Sequence, residues 1–527
     1  MSNSKKLQIA LPIIFSLVLI AGMFIGIQFD RINNYQSQSP NKGFDKLNNV
    51  LRYINTKYVD TLNSKAITEA AINGILKELD PHSSYIPPSD LKAVNESLNG
   101  EFSGIGIEFY IVKDTIMVVS PISGGPSESL GILSGDKIVK IEGENVGGIH
   151  ISNNDVINKL RGKKGTIVNI SILRSGESSL IDYEITRDNI PLLSIDVAYK
   201  ITDDIGYIKI NRFAKNTYRE FMKHLDELVQ ANIKSLIVDL RNNPGGFLTA
   251  ATNITDEFIA GHKIIVYTEG NAIPRREYIS KKDGMFEKGA LVILIDEGSA
   301  SASEILAGAL QDWDRATIIG KRSFGKGLVQ EQYEMPDRSA LRLTIARYYT
   351  PTGRCIQRPY NKGTDNIGYY LKKYDSTNTD SIQYKTPAGK ILYGGGGITP
   401  DITVERDTIG ITNYLKHLYY KGIIPQFVYD YYAKNKSTFS HYKSVQTFNS
   451  QFNISNNVLN RFVQFADSKG VKNNPRELAI SKSIIKTQLK AYIAKQIFKE
   501  KGFYPIMQQL DNTLIEAVKY LDDKKAN

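Results

Sequence analysis

The stretch Gly298-Ser299-Ala300-Ser301-Ala302-Ser303-Glu304 separates a predicted strand, Leu291 to Ile295, from the apolar run Ile305 to Leu310. This arrangement predicts a helix that begins near Ser301, at the carboxyl end of the strand, where open α/β sheets place their sites. The free N–H groups of such a helix start can stabilise an oxyanion formed beside them. The same residues match a capping box, with Ser301 as N-cap and Glu304 bonded back to it, and capping alone would explain the pattern.

Strands and helices alternate around this stretch, from about Pro191 onwards. Short runs rich in isoleucine and valine predict buried strands, and longer amphipathic runs predict the helices between them. This alternation indicates an α/β domain. The predicted strands are Gly206 to Ile210, Leu236 to Leu240, Leu291 to Ile295 and Thr317 to Gly320, and the predicted helices are Thr217 to Gln230 and Leu248 to Ile259.

A lysine-containing motif, Gly320-Lys321-Arg322-Ser323-Phe324-Gly325-Lys326, fits the first seven positions of a phosphate-binding P-loop. Its eighth position is Gly327 instead of the serine or threonine that would bind magnesium. The following residues, Leu328 to Tyr333, alternate like a strand, whereas a P-loop opens a helix. These differences exclude a P-loop.

Lys326 is instead the candidate general base if Ser301 attacks a carbonyl, since no histidine lies near the serine cluster in the sequence. A lysine base must be neutral at working pH, so its pKa must fall from about 10.4 by roughly three units. Burial away from carboxylates can produce this shift. Gln330 can orient the amine without adding a charge, whereas a carboxylate at that position would raise the pKa of Lys326.

The composition limits the possible classes of protein. With 527 residues the chain is too long for a single core, which predicts several domains. The formal net charge is +11, but the lysines are scattered, and no compact basic run accompanies a nucleic-acid module, so no nucleic-acid partner is expected. The single cysteine, Cys355, excludes an internal disulfide and a cysteine-based zinc site. No HExxH arrangement is present, and neither a metal nor another cofactor is expected.

The N-terminal segment has the pattern of a membrane anchor. Lys5 and Lys6 precede a nearly uninterrupted apolar run from Leu7 to Ile27, about the length that a helix needs to cross a bilayer. The positive charges predict that this end stays in the cytoplasm, so the rest of the chain is expected outside it, in the periplasm of the cell envelope. Cleavage as a signal peptide is the alternative, but no small-x-small site follows the run.

A polar tether, residues 31–43, connects this run to a pair of predicted amphipathic helices over Phe44 to about Leu79. The helices are interpreted as a packing or dimerisation element that ends at Asp80-Pro81. His82 follows at once and is interpreted as a residue that stabilises the next turn.

A β-rich module of about ninety residues begins near Phe102. Gly104-Ile105-Gly106-Ile107 opens a predicted strand that reaches Tyr110, and Leu133-Ser134-Gly135-Asp136-Lys137-Ile138-Val139-Lys140-Ile141 follows. Together these motifs resemble a PDZ domain, in which the glycine loop is the carboxylate-binding loop. Backbone N–H groups of such a loop can hold a terminal carboxylate, while the adjacent strand edge accepts an extended peptide. If the second motif were absent, a glycine hairpin in an ordinary sheet would be enough to explain Gly104 and Gly106.

The serine and lysine motifs, together with Asp239-Leu240-Arg241-Asn242-Asn243-Pro244-Gly245-Gly246, resemble those of the carboxy-terminal processing proteases, a Ser/Lys peptidase family with an embedded PDZ domain. The resemblance covers roughly residues 45 to 405. It implies the ββα-spiral fold shared with the Clp protease and crotonase families. It also implies that Ser301 is the nucleophile, that Lys326 is the base positioned by Gln330, and that the PDZ domain binds a substrate C-terminus. The backbone N–H groups implied for the oxyanion hole are those of Ala302 and of either Gly245 or Gly246.

The expected function is therefore that of an envelope serine endopeptidase acting on exported proteins with apolar C-termini, with a catalytically silent PDZ scaffold as the alternative. A polar stretch, Pro359 to Pro387, is interpreted as a surface insertion. Helical periodicity in the basic C-terminal part predicts an extension for assembly into a homo-oligomer, for contact with a membrane surface, or for docking of an adaptor. The predicted domains are the anchor (1–30), the tether and helices (31–100), the PDZ domain (101–190), the protease core (191–405) and the helical extension (406–527).

Overall fold

The computed structural model describes residues 16, 18–24, 42–111, 114–122, 124–133, 135–174, 176–360, 369, 382–405 and 407–526. Most of the predicted anchor, Leu7 to Ile27, and most of the predicted insertion, Pro359 to Pro387, lie outside these residues. Within the described ranges, no helix is long and apolar enough to cross a membrane. The chain divides into two compact units, residues 1–75 and residues 76–527.

The described part of the first unit is helical, as predicted. Apolar side chains recur at helical spacing in its first long helix, and several of them, including Phe44 and Val50, are exposed. The loop after this helix is fixed locally, because the Ser64 hydroxyl donates to Asn55 Oδ1 at 2.7 Å. With strands and helices numbered in chain order, the two helices are α1 (Lys42–Lys57) and α2 (Ser64–Lys77), of which α2 ends in the second unit.

The second unit begins with a short strand and a helix before the PDZ-like module. The helix carries proline at its first position and ends at Gly100, whose φ of 74° is the left-handed conformation that favours glycine. These two elements are β1 (Ser84–Ile86) and α3 (Pro88–Asn99).

The PDZ-like module has a six-stranded sheet packed around a buried aliphatic cluster that includes Ile116, Val156 and Ile185. The predicted strand from Gly104 to Tyr110 is interrupted, because Gly106 adopts φ 74° and turns the chain between two strands. A two-stranded ribbon of β2 (Glu101–Gly104) and β9 (Asp188–Pro191) closes the module. Its other elements are β3 (Ile107–Ile111), β4 (Ile116–Pro121), α4 (Pro126–Ser129), β5 (Lys137–Ile141), β6 (Glu144–Asn145), α5 (Asn153–Leu160), β7 (Ile167–Leu173) and β8 (Ile181–Thr186).

A second six-stranded sheet forms the centre of the protease core. Its neighbouring strands are parallel except for the first pair, which is antiparallel. The third strand is buried along its whole length, as expected for a parallel strand covered on both faces. In spatial order the strands are β10 (Ile195–Lys200), β11 (Ile205–Ile210), β12 (Ser235–Asp239), β15 (Ala290–Ile295), β16 (Thr317–Gly320) and β21 (Ile402–Thr403).

Three helices cover one face of this sheet with a large apolar cluster that contains Phe221, Ile254 and Leu306. The helix predicted over Leu248 to Ile259 is present but ends three residues earlier. The helix predicted from Ser301 begins one residue later and is buried along its whole length. The three helices are α6 (Thr217–Gln230), α7 (Leu248–Asp256) and α8 (Ala302–Asp312).

An antiparallel sheet lies beside the core and includes β1. Its pairing joins Ser84 to Arg342, so the segment before the PDZ-like module is part of the protease core. The other strands of this sheet are β13 (Ile264–Glu269), β14 (Arg276–Ile279), β17 (Leu328–Glu334) and β18 (Ala340–Tyr349), and a separate pair is formed by β19 (Gln383–Lys385) and β20 (Ile391–Tyr393).

The C-terminal extension is helical and has an apolar cluster of its own, which includes Phe427, Phe462 and Leu489. The predicted fold class, an α/β core with a PDZ domain and helical N- and C-terminal parts, is confirmed. The extension contains α9 (Asn413–Tyr420), α10 (Ile423–Lys434), α11 (Lys436–Phe439), α12 (Val445–Gln451), α13 (Asn456–Ser468), α14 (Pro475–Phe498), α15 (Glu500–Met507), a 3-10 helix (Gln508–Leu510) and α16 (Asn512–Ala526).

Candidate active site

The predicted site residues of the core lie around one cleft with a volume of about 960 Å³. Two loops at the carboxyl ends of β12 and β15 contribute the glycines and the serine, and the start of β17 contributes the lysine and the amide. The predicted residues that line the cleft are Gly245, Gly246, Ser301, Lys326 and Gln330.

The three serines of the opening stretch have different environments. The hydroxyl of Ser299 donates to the Leu240 carbonyl at 2.8 Å, and that of Ser303 donates to the Asn243 carbonyl at 2.9 Å. Both are completely buried, and they attach this stretch to the loop that follows β12. Ser301 is partly exposed and lines the cleft. It is therefore the serine of this stretch that a substrate can reach.

Ser301 has an unusual backbone conformation, with φ 56° and ψ −113° at the start of α8. A non-glycine residue in such a sparsely populated region costs roughly 1 to 3 kcal/mol and is typical of functional sites. Hydrogen bonds hold it there: the Ser301 N–H donates to Glu304 Oε2 at 2.7 Å, and its carbonyl accepts from Ile305 N–H at 3.0 Å. The predicted hydrogen bond between the Glu304 side chain and the start of the helix is therefore present.

The Glu304 carboxylate also holds the segment from Ser323 to Gly327, called the lysine loop below. Its Oε1 accepts from the Ser323 hydroxyl at 2.6 Å and from Gly325 N–H at 2.7 Å, and its Oε2 accepts from Lys326 N–H at 2.9 Å. Burial raises the pKa of this carboxyl, and the hydrogen bonds that it accepts act in the opposite direction. One buried side chain thus connects the lysine loop to the backbone of residues 296–301, called the nucleophile loop below.

Lys326 has the environment that a neutral amine requires. Burial lowers its pKa from 10.5 to about 8, and the positive charge of Arg342 acts in the same direction. The charges of Glu304 and Asp80 raise the pKa but do not cancel these effects. The Lys326 amine donates to Gln330 Oε1 at 2.7 Å, so the nearest partner of the amine is a neutral amide.

Gln330 is itself fixed by the turn before β1. Its amide nitrogen donates to the His82 carbonyl at 2.7 Å. The Asp80 carboxylate stabilises this turn, because it accepts from the N–H groups of His82 and Ser83, at 2.9 Å each. The role of the His82 imidazole in this turn stays a prediction. Burial and the positive charge of Lys326 lower the pKa of His82 to about 4, so its imidazole is neutral at physiological pH.

Tyr348 adds a second connection between the two loops. Its buried hydroxyl lies 2.5 Å from the Lys326 carbonyl and 3.1 Å from the Ser301 carbonyl. Burial raises the pKa of this phenol well above its usual value, so it remains protonated and able to donate. No feature of the sequence around Tyr348 indicated this role.

The two candidate glycines of the oxyanion hole differ in hydrogen bonding. The N–H of Gly245 donates to Asn243 Oδ1 at 2.9 Å. In the described residues, the N–H groups of Gly246 and Ala302 have no acceptor. Gly245 packs closely on the nucleophile loop, and a Cβ there would lie 2.8 Å from that of Ser301. The geometry therefore favours Gly246 as the second donor. Gly245 is the residue that lets its loop pack closely against the nucleophile loop.

The predicted peptide-binding residues of the PDZ domain lie apart from this cleft. Gly104, Ile105 and Gly106 are buried, and Ile107 begins β3, which is the edge strand of its sheet. The Ile105 carbonyl accepts from the hydroxyl of Ser127 at 2.6 Å, which fixes the glycine loop to α4. An edge strand beside a fixed loop suits addition of an extended peptide. In the described part of the chain, no group of three or more His, Cys, Asp or Glu side chains is arranged to hold a metal ion.

Four family models match the chain. Residues 204–366 match peptidase family S41, and residues 103–185 match the PDZ domain. Residues 22–88 match the N-terminal domain of the activating protease CtpB, and residues 414–499 match a family of unknown function.

Several known proteins are similar over most of their length. The carboxy-terminal-processing protease of Bartonella bacilliformis is 36% identical over 346 residues, which cover 64% of this chain and 79% of that protein. A probable CtpA-like serine protease of Staphylococcus aureus is 34% identical over 367 residues, which cover 69% of this chain and 71% of that protein. The solved photosystem II D1 C-terminal processing protease is 26% identical, covers 67% of this chain and 85% of that chain, and superposes with a TM-score of 0.37. The identity and coverage of the two bacterial proteases show that the chain belongs to the carboxy-terminal-processing proteases of peptidase family S41 and is a serine-type peptidase with a PDZ domain.

Proposed function

We propose that the protein is an endopeptidase that uses Ser301 and Lys326 as a catalytic dyad. The observation that carries this proposal is the Lys326 amine, whose pKa is lowered to about 8 by burial and whose hydrogen-bond partner is the neutral amide of Gln330. A lysine in this state can accept a proton near neutral pH. It lines the same cleft as the strained, accessible Ser301.

In the proposed reaction, the Ser301 hydroxyl attacks the carbonyl carbon of a substrate peptide bond while the Lys326 amine takes its proton. The oxyanion of the tetrahedral intermediate accepts from the N–H groups of Ala302 and Gly246, and each such donor contributes roughly 3 to 4 kcal/mol. The resulting ammonium of Lys326 returns the proton to the leaving amine as the acyl-enzyme forms. Water, activated by the amine, then releases the second product and restores the Ser301 hydroxyl.

The proposed substrates are exported proteins with apolar C-termini. The support is the PDZ domain, whose glycine loop and edge strand β3 suit capture of a carboxylate and an extended chain. The proposed location is the cell envelope, with the N-terminal run in the inner membrane and the peptidase in the periplasm, and its support is the sequence pattern of Leu7 to Ile27. We also propose that the protein forms a homo-oligomer and binds an adaptor protein, and the support for both is the helical pattern of the C-terminal extension.

The Ser301→Ala variant is expected to lose cleavage of an unfolded reporter protein with an apolar C-terminus while still binding its C-terminal peptide. The loss should exceed about 1,000-fold because the nucleophile is absent. The measurement is the initial rate of cleavage, with Ser89→Ala as a control, since Ser89 is exposed on α3 and does not line the cleft. Cleavage that survives in Ser301→Ala, or that a chelator abolishes in the wild type, would contradict the proposal. If the wild type bound the peptide but cleaved the reporter protein at no pH, the alternative function, a catalytically silent PDZ scaffold, would be favoured.

The rate of cleavage should rise with pH, with a midpoint at about 8, because the protonated Lys326 amine present at lower pH cannot accept a proton. The positive charge of Arg342 helps to lower this pKa, so Arg342→Met is expected to move the midpoint to higher pH. Arg338→Met removes the same charge from an exposed turn and should leave the midpoint in place. A pH profile of kcat with the same midpoint in all three proteins would exclude Lys326 as the titrating base.

A further inference from the structure

The last helix of the extension completes the protease core. Leu514, Ala517 and Leu521 of α16 are at most 3% exposed, and they pack on the face of the central sheet opposite α6, α7 and α8. The partners of these side chains in the sheet include Tyr207 and Leu294. The extension is therefore in direct contact with the strands that carry the candidate active-site loops.

Asp511, the residue before α16, has two sets of partners. Its Oδ1 accepts from the Leu514 N–H at 3.1 Å, which caps the start of the helix. The guanidinium of Arg241 donates to both carboxylate oxygens, with distances of 2.7 Å to Oδ1 and 2.6 Å to Oδ2. A two-pronged contact of this kind fixes the plane and the position of the arginine.

Arg241 is held between the extension and the core. Its Nε donates to Asp239 Oδ1 at 3.0 Å and its second terminal nitrogen to Asp239 Oδ2 at 2.6 Å. Its carbonyl accepts from Lys209 Nζ at 3.2 Å. The Asp239 side chain is 1% exposed and that of Arg241 is 17% exposed, so water screens this pair only weakly.

The loop that begins at Arg241 reaches the proposed oxyanion hole at Gly246, five residues later. Asn242 N–H donates to Asp296 Oδ1 at 2.8 Å, and the Asn243 carbonyl accepts from Ala300 N–H at 3.0 Å. These bonds attach the loop that begins at Arg241 to the nucleophile loop. Further along the first loop, Gly245 and Gly246 line the cleft. A displacement of Arg241 would therefore move the backbone that carries the Gly246 N–H, one of the two proposed oxyanion donors.

We propose that Asp511 is a positioning residue for the oxyanion hole, acting through Arg241, and that this is one function of the C-terminal extension. The inference rests on the proposed function, because it assigns Asp511 to the geometry of a reaction at Ser301. Asp511 does not touch the substrate. Its carboxylate sets the position of Arg241, and Arg241 sets the start of the loop that ends at Gly246.

Other contacts between the extension and the core do not involve this loop. Tyr504 in α15 donates its hydroxyl to Asp196 Oδ2 at 2.6 Å, on the edge strand β10. Tyr504→Phe is the control for a general loosening of the extension, because the hydrogen bond that it removes includes neither Arg241 nor Asp511.

The test compares three variants of the full chain: Asp511→Asn, Asp511→Glu and Tyr504→Phe. Asparagine keeps the oxygen that caps α16 but loses the charge and one acceptor for Arg241. For Asp511→Asn we expect kcat to fall about ten-fold, since small displacements of catalytic groups have effects of this size, while KM stays within about two-fold. Asp511→Glu should regain most of kcat, and Tyr504→Phe should remain within about two-fold of the wild type.

Hydrogen exchange measured by mass spectrometry gives a readout that does not depend on cleavage. The amides of residues 242–247 should exchange faster in Asp511→Asn than in the wild type, and at the wild-type rate in Tyr504→Phe. Thermal unfolding of the same proteins separates this local effect from a general loss of stability.

Equal kcat values for Asp511→Asn and Tyr504→Phe would overturn the inference, as would a lower kcat without faster exchange of residues 242–247. A wild type that does not cleave would contradict the proposed function. In that case the exchange of residues 242–247 still decides whether Asp511 positions the loop.

Discussion

Substitution of Glu304 by glutamine is expected to lower kcat/KM by about 100-fold or more and the free energy of unfolding by roughly 2 to 4 kcal/mol. The Glu304 carboxylate accepts from Ser301 N–H, the Ser323 hydroxyl, Gly325 N–H and Lys326 N–H, two donors to each oxygen. In glutamine one of these oxygens becomes an NH₂ group, which faces two donors in a buried site. Both loops must then shift to relieve the contact.

The pH profile identifies the cause of this loss. The charge of Glu304 raises the pKa of Lys326, so its removal alone would increase the fraction of neutral lysine at pH 7. A rate that falls at every pH therefore reports a geometric effect. Glu297→Gln is the control, because Glu297 lies in the loop just before α8, with 61% of its side chain exposed, and pairs with Lys321 at 3.3 Å. Equal stability and activity of the two variants would show that Glu304 does not hold the loops together.

Gln330→Glu is expected to lower cleavage at pH 7 by about 100-fold. A carboxylate in contact with the Lys326 amine would raise its pKa by about two units above the present value of about 8, so the neutral fraction at pH 7 would fall in proportion. The glutamate would also lose the N–H that donates to the His82 carbonyl. The measurement is kcat as a function of pH, and the rising limb should move to about pH 10.

Gln330→Met separates charge from orientation. Methionine has a similar length and no charge, so the midpoint of the pH profile should stay near its wild-type value while kcat falls by about ten-fold through loss of orientation. If Gln330→Glu kept the wild-type midpoint, the base in the reaction would not be Lys326.

The sequence identified the residues of the cleft because they belong to short motifs, each contained in a few consecutive positions. The alternation of strands and helices likewise predicted four of the six strands of the central sheet, β11, β12, β15 and β16, since each of them is a separate apolar run. The two edge strands, β10 and β21, were not predicted. Local patterns place Ser301 at the end of a strand and Lys326 before another one. These placements alone do not bring the two residues together, because the strand after Lys326 belongs to a different sheet from the strand before Ser301. The resemblance to the protease family implied that they act as a pair.

The residues that support the site could not be predicted in this way, because they contact it over long distances in the chain. Gln330 and His82 are 248 positions apart, and Arg241 and Asp511 are 270 positions apart. Local periodicity contains no information about such pairs. The choice between Gly245 and Gly246 depends on where the Asn243 side chain points, which a glycine-rich motif does not reveal.

The packing of α16 on the central sheet has a consequence for the order of events during synthesis. The ribosome makes Ser301 and Lys326 long before residues 512–526, so the face of the sheet that Leu514 and Leu521 cover stays open in the nascent chain. Until residues 512–526 have been made, Leu514 and Leu521 cannot cover this face, and Arg241 lacks its contact with Asp511.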